Sequence, residues 1–246
     1  MWLLALETST PTLSVALLKD GGLVLEHNEQ SRRRHAKTAA PTITALLAAA
    51  DLQPGDLGAV GCGVGPGSFT GLRIGLSMAK GLAQALNIPL ITVSSLDVLA
   101  AAAIRPGFIT APLLDAKQGH IYVAFYQDSD CDITLRPVGE YLALKPEQVA
   151  VRAKDLVGTR RLAVCGDGVS FCREHFHTQG IEFLELQRWY SQPRAAVLGQ
   201  LAARRLATGL QADVARARPL YVRRAAAELA LAARRAREAE NHAGKC

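Results

Sequence analysis

No run of apolar residues in this 246-residue chain approaches the eighteen or so needed to cross a bilayer, so no membrane partner is predicted. Its first residues, Met1-Trp2-Leu3-Leu4-Ala5-Leu6-Glu7, have no basic leader and meet an acid at the seventh position. They read as the start of a folded element rather than an export signal, and a cytoplasmic protein is expected. The five cysteines (Cys62, Cys131, Cys165, Cys172, Cys246) are odd in number and contain no Cys-x-x-Cys pair. That argues against a disulfide framework and a zinc knuckle, and they are read as reduced, with Cys246 the one open to thiol reagents. Paired histidines at helical spacing are missing too. His35 has no partner three or four residues on, His175 and His177 are two apart and would diverge on a helix, and His27, His120 and His242 stand alone. No metal site is predicted. A Gly-Lys-Ser/Thr phosphate motif is absent, and Ser68 is not in a nucleophile elbow, because it takes the second of five places in Gly67-Ser68-Phe69-Thr70-Gly71.

What is present describes a folded protein: 49% of residues are hydrophobic and mean hydropathy is +0.12, enough for one large core or two smaller ones. The net charge of +6 would suggest a polyanionic partner, but it is unevenly placed. Residues 216–246 hold eight Lys/Arg against three Glu, whereas the other 215 residues carry 20 bases and 19 acids. A nearly neutral body with a basic tail excludes a broad nucleic-acid-gripping face. The tail is read as a solvated helix, with contact to nucleic-acid phosphates as the sharper alternative.

Turn chemistry between short apolar runs predicts a meander of three strands over 3–8, 13–18 and 23–27. Apolar periodicity predicts a helix over 38–50. A strand over 59–64, a long helix over 70–86, a strand over 90–93 and a helix over 95–104 complete the order β-β-β-α-β-α-β-α. Arg105-Pro106-Gly107 interrupts the pattern. A related order then begins again: strands over 110–114, 121–126 and near Thr134, a helix over 146–156, a strand over 162–165, a short helix, a strand near Phe183 and an amphipathic helix over 194–206. The reading is a duplicated α/β architecture.

The most informative stretch is Gly61-Cys62-Gly63-Val64-Gly65-Pro66-Gly67-Ser68-Phe69-Thr70-Gly71-Leu72-Arg73-Ile74-Gly75, which runs from a strand into a helix. Such glycines and a helix N-terminus suit an anion; without a phosphate-binding Lys they suit better a tight structural turn with Ser68 capping the helix. On that helix Arg73, Ser77, Lys80, Gln84 and Asn87 form one narrow polar stripe, and nearly everything else is apolar or small. So wide an apolar arc calls for a second neighbour, either the helix over 38–50 or a protein partner.

Together with Leu4 to Thr10, Ser14-Val15-Ala16-Leu17, Leu114-Asp115-Ala116-Lys117 to Tyr122, Gly166-Asp167-Gly168 and Pro219-Leu220-Tyr221-Val222-Arg223, the glycine motif resembles the TsaB (formerly YeaZ) family over roughly residues 1–226. The resemblance implies an actin-like, sugar-kinase-like α/β fold of two related domains, with the last helix returning to the first. The boundaries read as 1–105 and 106–207 for the domains, 208–225 for a return segment and 226–246 for the tail. It further implies a non-catalytic partner of a TsaD-type catalytic subunit and a TsaE-type ATPase. That complex transfers threonylcarbamoyl to the adenosine beside the anticodon of tRNAs reading codons that start with A. No cofactor is expected to bind tightly to this chain alone, ATP and Mg being used by the complex, and tRNA is expected to be met mainly through the complex. Pairing of two copies is left open, and a stand-alone ATPase or sugar kinase of the same fold is the alternative. Glu7, Gly65, Gly67, Ser68 and Asp115 are the candidates for a degenerate nucleotide cleft, with Glu7 and Asp115 facing each other if the halves are duplicates. Ala39, Ile43, Leu47, Ile74, Gly75, Met78, Gly81 and Leu82 are the candidates for the partner interface. Three positions in two motifs depart from the family pattern: Glu7 stands where an Asp is usual, and the strand motif reads Asp115-Ala116-Lys117 with His120 instead of Asp-Ala-Arg with a Glu.

Overall fold

A computed structural model describes residues 1–30, 34–129 and 132–222. The first half contains β1 (Trp2–Glu7), β2 (Thr12–Lys19), β3 (Gly22–Gln30), α1 (His35–Ala49), β4 (Leu57–Gly63), α2 (Phe69–Leu86), β5 (Leu90–Val93) and α3 (Ser95–Ala103). The second contains β6 (Phe108–Lys117), β7 (His120–Val123), β8 (Tyr126–Ser129), β9 (Asp132–Pro137), β10 (Leu142–Leu144), α4 (Pro146–Val157), β11 (Arg161–Cys165), α5 (Val169–Thr178), β12 (Phe183–Glu185) and α6 (Ala195–Ala207).

The first sheet runs β3-β2-β1-β4-β5, with β1 antiparallel to β2 and parallel to β4. The second runs β10-β7-β6-β11-β12, the same order with β6 in the place of β1. β7 and β8 are one strand position interrupted at Ala124-Phe125, since both pair with β6 in a single register (Leu113 with Val123, Thr110 with Tyr126). The repeated order makes the molecule a two-sheet, actin-like α/β protein, the predicted fold class.

Side-chain alternation explains why β1 reads as an unbroken apolar run. Leu3 and Ala5 face α6, packing with Ala16, Leu18, Leu198 and Ala202. Leu4 and Leu6 face α1, packing with Leu13, Val15, Leu17, Ile43 and Leu47. A strand covered on both faces has no polar side. The apolar surplus of α2 finds two neighbours. Met78, Leu82 and Leu86 lean toward α1, while Leu76, Ala79 and Ala83 pack with β4, β5 and Ala212, Val214 and Ala217 of the segment after α6. That segment is held along the first half: Ala212 N–H donates to Leu90 O (2.8 Å), Leu220 N–H to Val64 O (2.8 Å), and Lys80 Nζ to Ala215 O and Ala217 O (3.1 Å each).

The packing of α3 differs from the expectation that it simply completes the first half. Leu96, Leu99, Ala100 and Ala103 pack with Leu114, Ala124, Tyr126 and Cys165 of the second half, because β5 leads directly into the space between the sheets. A buried polar knot holds the halves there. Asp97 Oδ1 accepts from Tyr126 Oη and Tyr141 Oη (2.8 Å each), Asp97 Oδ2 accepts from Arg205 Nη2 (2.7 Å), and Arg205 Nη1 donates to Thr92 O (2.6 Å). Desolvation and the Asp97 carboxylate both hold the Tyr126 phenol in its protonated form.

Candidate functional site

The glycine motif lies where β4 gives way to α2, and what it meets is the β1–β2 turn of the same chain. Ser68 is the N-cap of α2, its Oγ accepting from Gly71 N–H (3.2 Å). Its own N–H donates to Ser9 O (2.7 Å), and Thr8 Oγ1 donates to Gly71 O (2.9 Å). The absence of side chains is what permits this approach. A Cβ on Gly67 would lie 2.3 Å from Ser9 O, one on Gly71 2.1 Å from Thr8 O, and one on Gly75 2.2 Å from Thr8 Oγ1.

Four of the five cleft candidates therefore come together. Glu7, Gly65, Gly67 and Ser68 surround the Thr8-Ser9 turn, and Ser95 ties two of them, its N–H donating to Gly65 O (2.8 Å) and its Oγ to Glu7 Oε2 (2.9 Å). Glu7 is 0% exposed, with Oε1 accepting from Ser9 N–H (2.7 Å). Burial pushes its carboxyl above the ordinary carboxylate range, against hydrogen bonds that favour the charged form. It is turned inward beside Gly63, not out across a cleft.

Asp115 takes the equivalent place at the end of β6. Its carboxylate accepts from Lys117 N–H (2.7 Å) and Nζ (2.5 Å), and its N–H donates to Asp167 Oδ1 (2.9 Å). Burial raises the Asp167 carboxyl, opposed by the hydrogen bond from Asp115 N–H and reinforced by the Asp115 charge. These bonds stay within the second half.

The interface candidates divide. Ile74, Met78 and Leu82 are half-buried and Gly81 is exposed, so a partner can reach them. Ala39, Ile43, Leu47 and Gly75 require correction as surface residues: the first three face the first sheet and Gly75 lies against Thr8. The outward side of α1 is instead formed by Ala36, Ala40, Thr44 and Ala48, one turn apart and exposed. These small residues were hidden among many alanines, and only the offset from Ile43 and Leu47 could have marked them. Cys62, Cys165 and Cys172 are free and buried, while Cys131, Cys246 and the tail over 226–246 lie outside the described residues. Among the described residues no group of three or more His, Cys, Asp or Glu is placed to hold a metal ion, and no helix is long and apolar enough to cross a membrane.

Fold and site thus define an actin-like α/β protein whose glycine loop is closed over its own first turn. A family model described as TsaD, tRNA N6-adenosine threonylcarbamoyltransferase, matches residues 19–231. The tRNA threonylcarbamoyladenosine biosynthesis protein TsaB of Escherichia coli (strain K12) is 39% identical over 160 residues, 64% of this chain and 68% of that protein. The protein of the same name from Bacillus subtilis (strain 168) is 39% identical over 127 residues, 52% of this chain. The match spans 56% of the length of that relative. Among solved structures, YeaZ from Pseudomonas aeruginosa superposes with a TM-score of 0.76 at 32% identity, covering 89% of this chain and 99% of that one. The chain belongs to the TsaB (YeaZ) family, within the wider group that the TsaD model describes.

Proposed function

We propose that this protein serves in the biosynthesis of threonylcarbamoyladenosine in tRNA, as a non-catalytic partner of a TsaD-type catalytic subunit working with a TsaE-type ATPase in the cytoplasm. ATP and Mg are then the business of the complex. The observation that carries the reading is the filled glycine loop: the amide that would greet a phosphate, Ser68 N–H, is spent on Ser9 O, and Glu7 is buried and hydrogen-bonded. These residues do not fit a nucleotide's phosphates. The names of the relatives support the pathway. The exposed small-residue side of α1 (Ala36, Ala40, Thr44, Ala48) beside Gly81, Met78 and Leu82 of α2 supports a close helix-to-helix contact with the partner, because small residues let backbones approach.

Two measurements test the reading. Capture of a TsaD-type protein by the full chain is expected to succeed, to be abolished by Ala48→Glu or Gly81→Glu, and to leave the thermal midpoint of the isolated variants near wild type. Undiminished capture by both variants would remove this face from the interface. Calorimetric titration of the isolated chain with Mg-ATP is expected to give no binding heat, and tight binding would favour a stand-alone ATPase or sugar kinase. Sedimentation of the isolated chain decides whether two copies pair through the same helices.

A further inference from the structure

Among the described residues the chain passes between the halves twice, and at each passage neighbouring residues are bound to opposite halves. On the first, from β5 into α3, Ser95 is tied to the first half, its N–H donating to Gly65 O (2.8 Å) and its Oγ to Glu7 Oε2 (2.9 Å). Two residues on, the buried Asp97 carboxylate accepts from Tyr126 and Tyr141 of the second half. On the second passage, from β12 toward α6, Ser191 Oγ accepts from Gly166 N–H of the second half (3.1 Å). The very next residue, Gln192, accepts at Oε1 from Thr12 Oγ1 of the first half (2.8 Å). Pro193 follows, buried and with its φ fixed by its ring, and then Ala195 N–H and Ala196 N–H donate to Ser14 Oγ (2.7 Å) and Glu26 Oε1 (2.9 Å) on β2 and β3. We propose that these paired anchors, with Asp97 as the joint common to both passages, lock the two halves into one rigid body that does not open and close about the space between the sheets.

Hinge closure between two lobes requires a few residues at each crossing that can absorb a change in φ and ψ. Here one residue, the buried Leu96, separates the anchors of the first passage, and none separates those of the second. Asp97 also joins the passages to each other. Its Oδ2 accepts from Arg205 Nη2 on α6, and Arg205 Nη1 is spent on Thr92 O in β5. Phenols from the second half and a guanidinium fixed to the first therefore meet on one buried carboxylate, an arrangement satisfied in a single relative placement of the halves. Rotating either half would strip directional bonds inside the protein, where water does not replace them. The helices enforce the same restriction, since α3 leaves the first sheet to pack on the second half and α6 leaves the second to cover the first sheet. Rigidity of this kind belongs to the isolated chain, and it keeps α1 and α2 in one attitude toward the second half.

The experiment is a distance measurement by pulsed electron spin resonance on the full chain, spin-labelled at Gln84→Cys on α2 and Glu174→Cys on α5, both exposed. Cys131→Ser and Cys246→Ser confine the labels to those two sites, because Cys62, Cys165 and Cys172 are buried. A control pair, Arg152→Cys with Glu174→Cys, lies wholly within the second half. With the joint intact, the pair across the halves is expected to give one narrow distance distribution. Asp97→Ala is expected to broaden that distribution about twofold or to add a second distance, as a freed hinge would, while leaving the control pair unchanged. Asp97→Asn, which keeps an acceptor for the phenols, and Thr12→Val with Ser191→Ala, which frees only the second passage, are expected to broaden it less. Thermal unfolding confirms that each variant is folded. Two distances across the halves with the joint intact overturn the lock. So does an unchanged distribution in the folded variants, and so does equal broadening of the control pair, which would mark general loosening instead of a freed hinge. If Asp97→Ala does not fold, the intact joint and the Thr12→Val, Ser191→Ala variant decide the question by the same readings.

Discussion

The two halves of the molecule answer the same structural question differently. In both, the first two strands of the sheet are joined by a turn, and the loop after the fourth strand approaches it with glycines. In the first half the loop closes on the turn itself, with Ser68 N–H on Ser9 O and Thr8 Oγ1 on Gly71 O. In the second the loop stops one step short: Gly168 N–H bonds to Leu113 O within β6 (2.9 Å), and a Cβ on Gly166 would fall 2.0 Å from that same oxygen. The β6–β7 turn is left in solvent, built on Lys117, Gln118 and Gly119 with positive φ and closed by the Asp115–Lys117 pair. Duplication of a strand order thus preserves the close approach of loop to strand, while the fate of the turn depends on which side chains surround it.

The contrast yields measurable differences. The largest is expected at Gly71, where Gly71→Ala drives a methyl into Thr8 O and should lower stability by about 3 kcal/mol, close to the upper range for overpacking. The matching change in the open turn, Gly119→Ala, meets nothing within 4 Å but keeps φ at +72° and should cost only about 1 kcal/mol. Denaturant titration of both variants checks the pair, and equal losses would erase the distinction. Between the halves, Asp97→Ala strips the acceptor from two phenols and a guanidinium; because the Arg205 side chain is 35% exposed, a loss of about 2 kcal/mol is expected, below that of a wholly buried pair.

Glu7 offers a pH test of the closed turn. Its folded-state carboxyl is raised above the ordinary value of 4.5, so the folded state binds more protons than the unfolded one just above that pH. Its contribution is fully present below pH 4.5 and is lost as pH rises through the raised value. Wild type should therefore lose stability relative to Glu7→Gln across that window, and parallel pH profiles for the two proteins would contradict the burial argument. The smallest effect is expected for Asp115→Ala, whose exposed partner Lys117 limits the loss to about 0.5 kcal/mol.

The sequence was most readable where signals are local. The Ser68 cap, the long helix α2 and the strand over 90–93 emerged within a residue or two, because capping chemistry and apolar period are contained in a short window. The three-residue β10 is too short to show a period. The α3 pattern revealed a helix but not which sheet it covers, since an apolar period has no address. The glycine motif left an anion loop open beside a structural turn because the groups that fill it, Thr8 and Ser9, come from some sixty positions earlier. Tyr221 meets Arg73 across 148 positions, a contact that no local pattern encodes. On α1 and α2 the apolar count was visible, but the division into inward Ile43 and Leu47 and outward Ala40 and Ala48 required the sheet beneath.

The return of α6 to the first sheet shapes how this chain comes into being. Leu3, Ala5, Ala16 and Leu18 obtain their cover from Leu198 and Ala202, which leave the ribosome nearly two hundred residues after β1. Until then one whole face of the first sheet has no lid, and Ala195 N–H has not reached Ser14 Oγ, its partner at 2.7 Å. The halves that look like successive domains on paper are therefore completed together, only once α6 has been made, and a nascent chain stalled after α3 would present a bare apolar sheet face to whatever chaperones attend it.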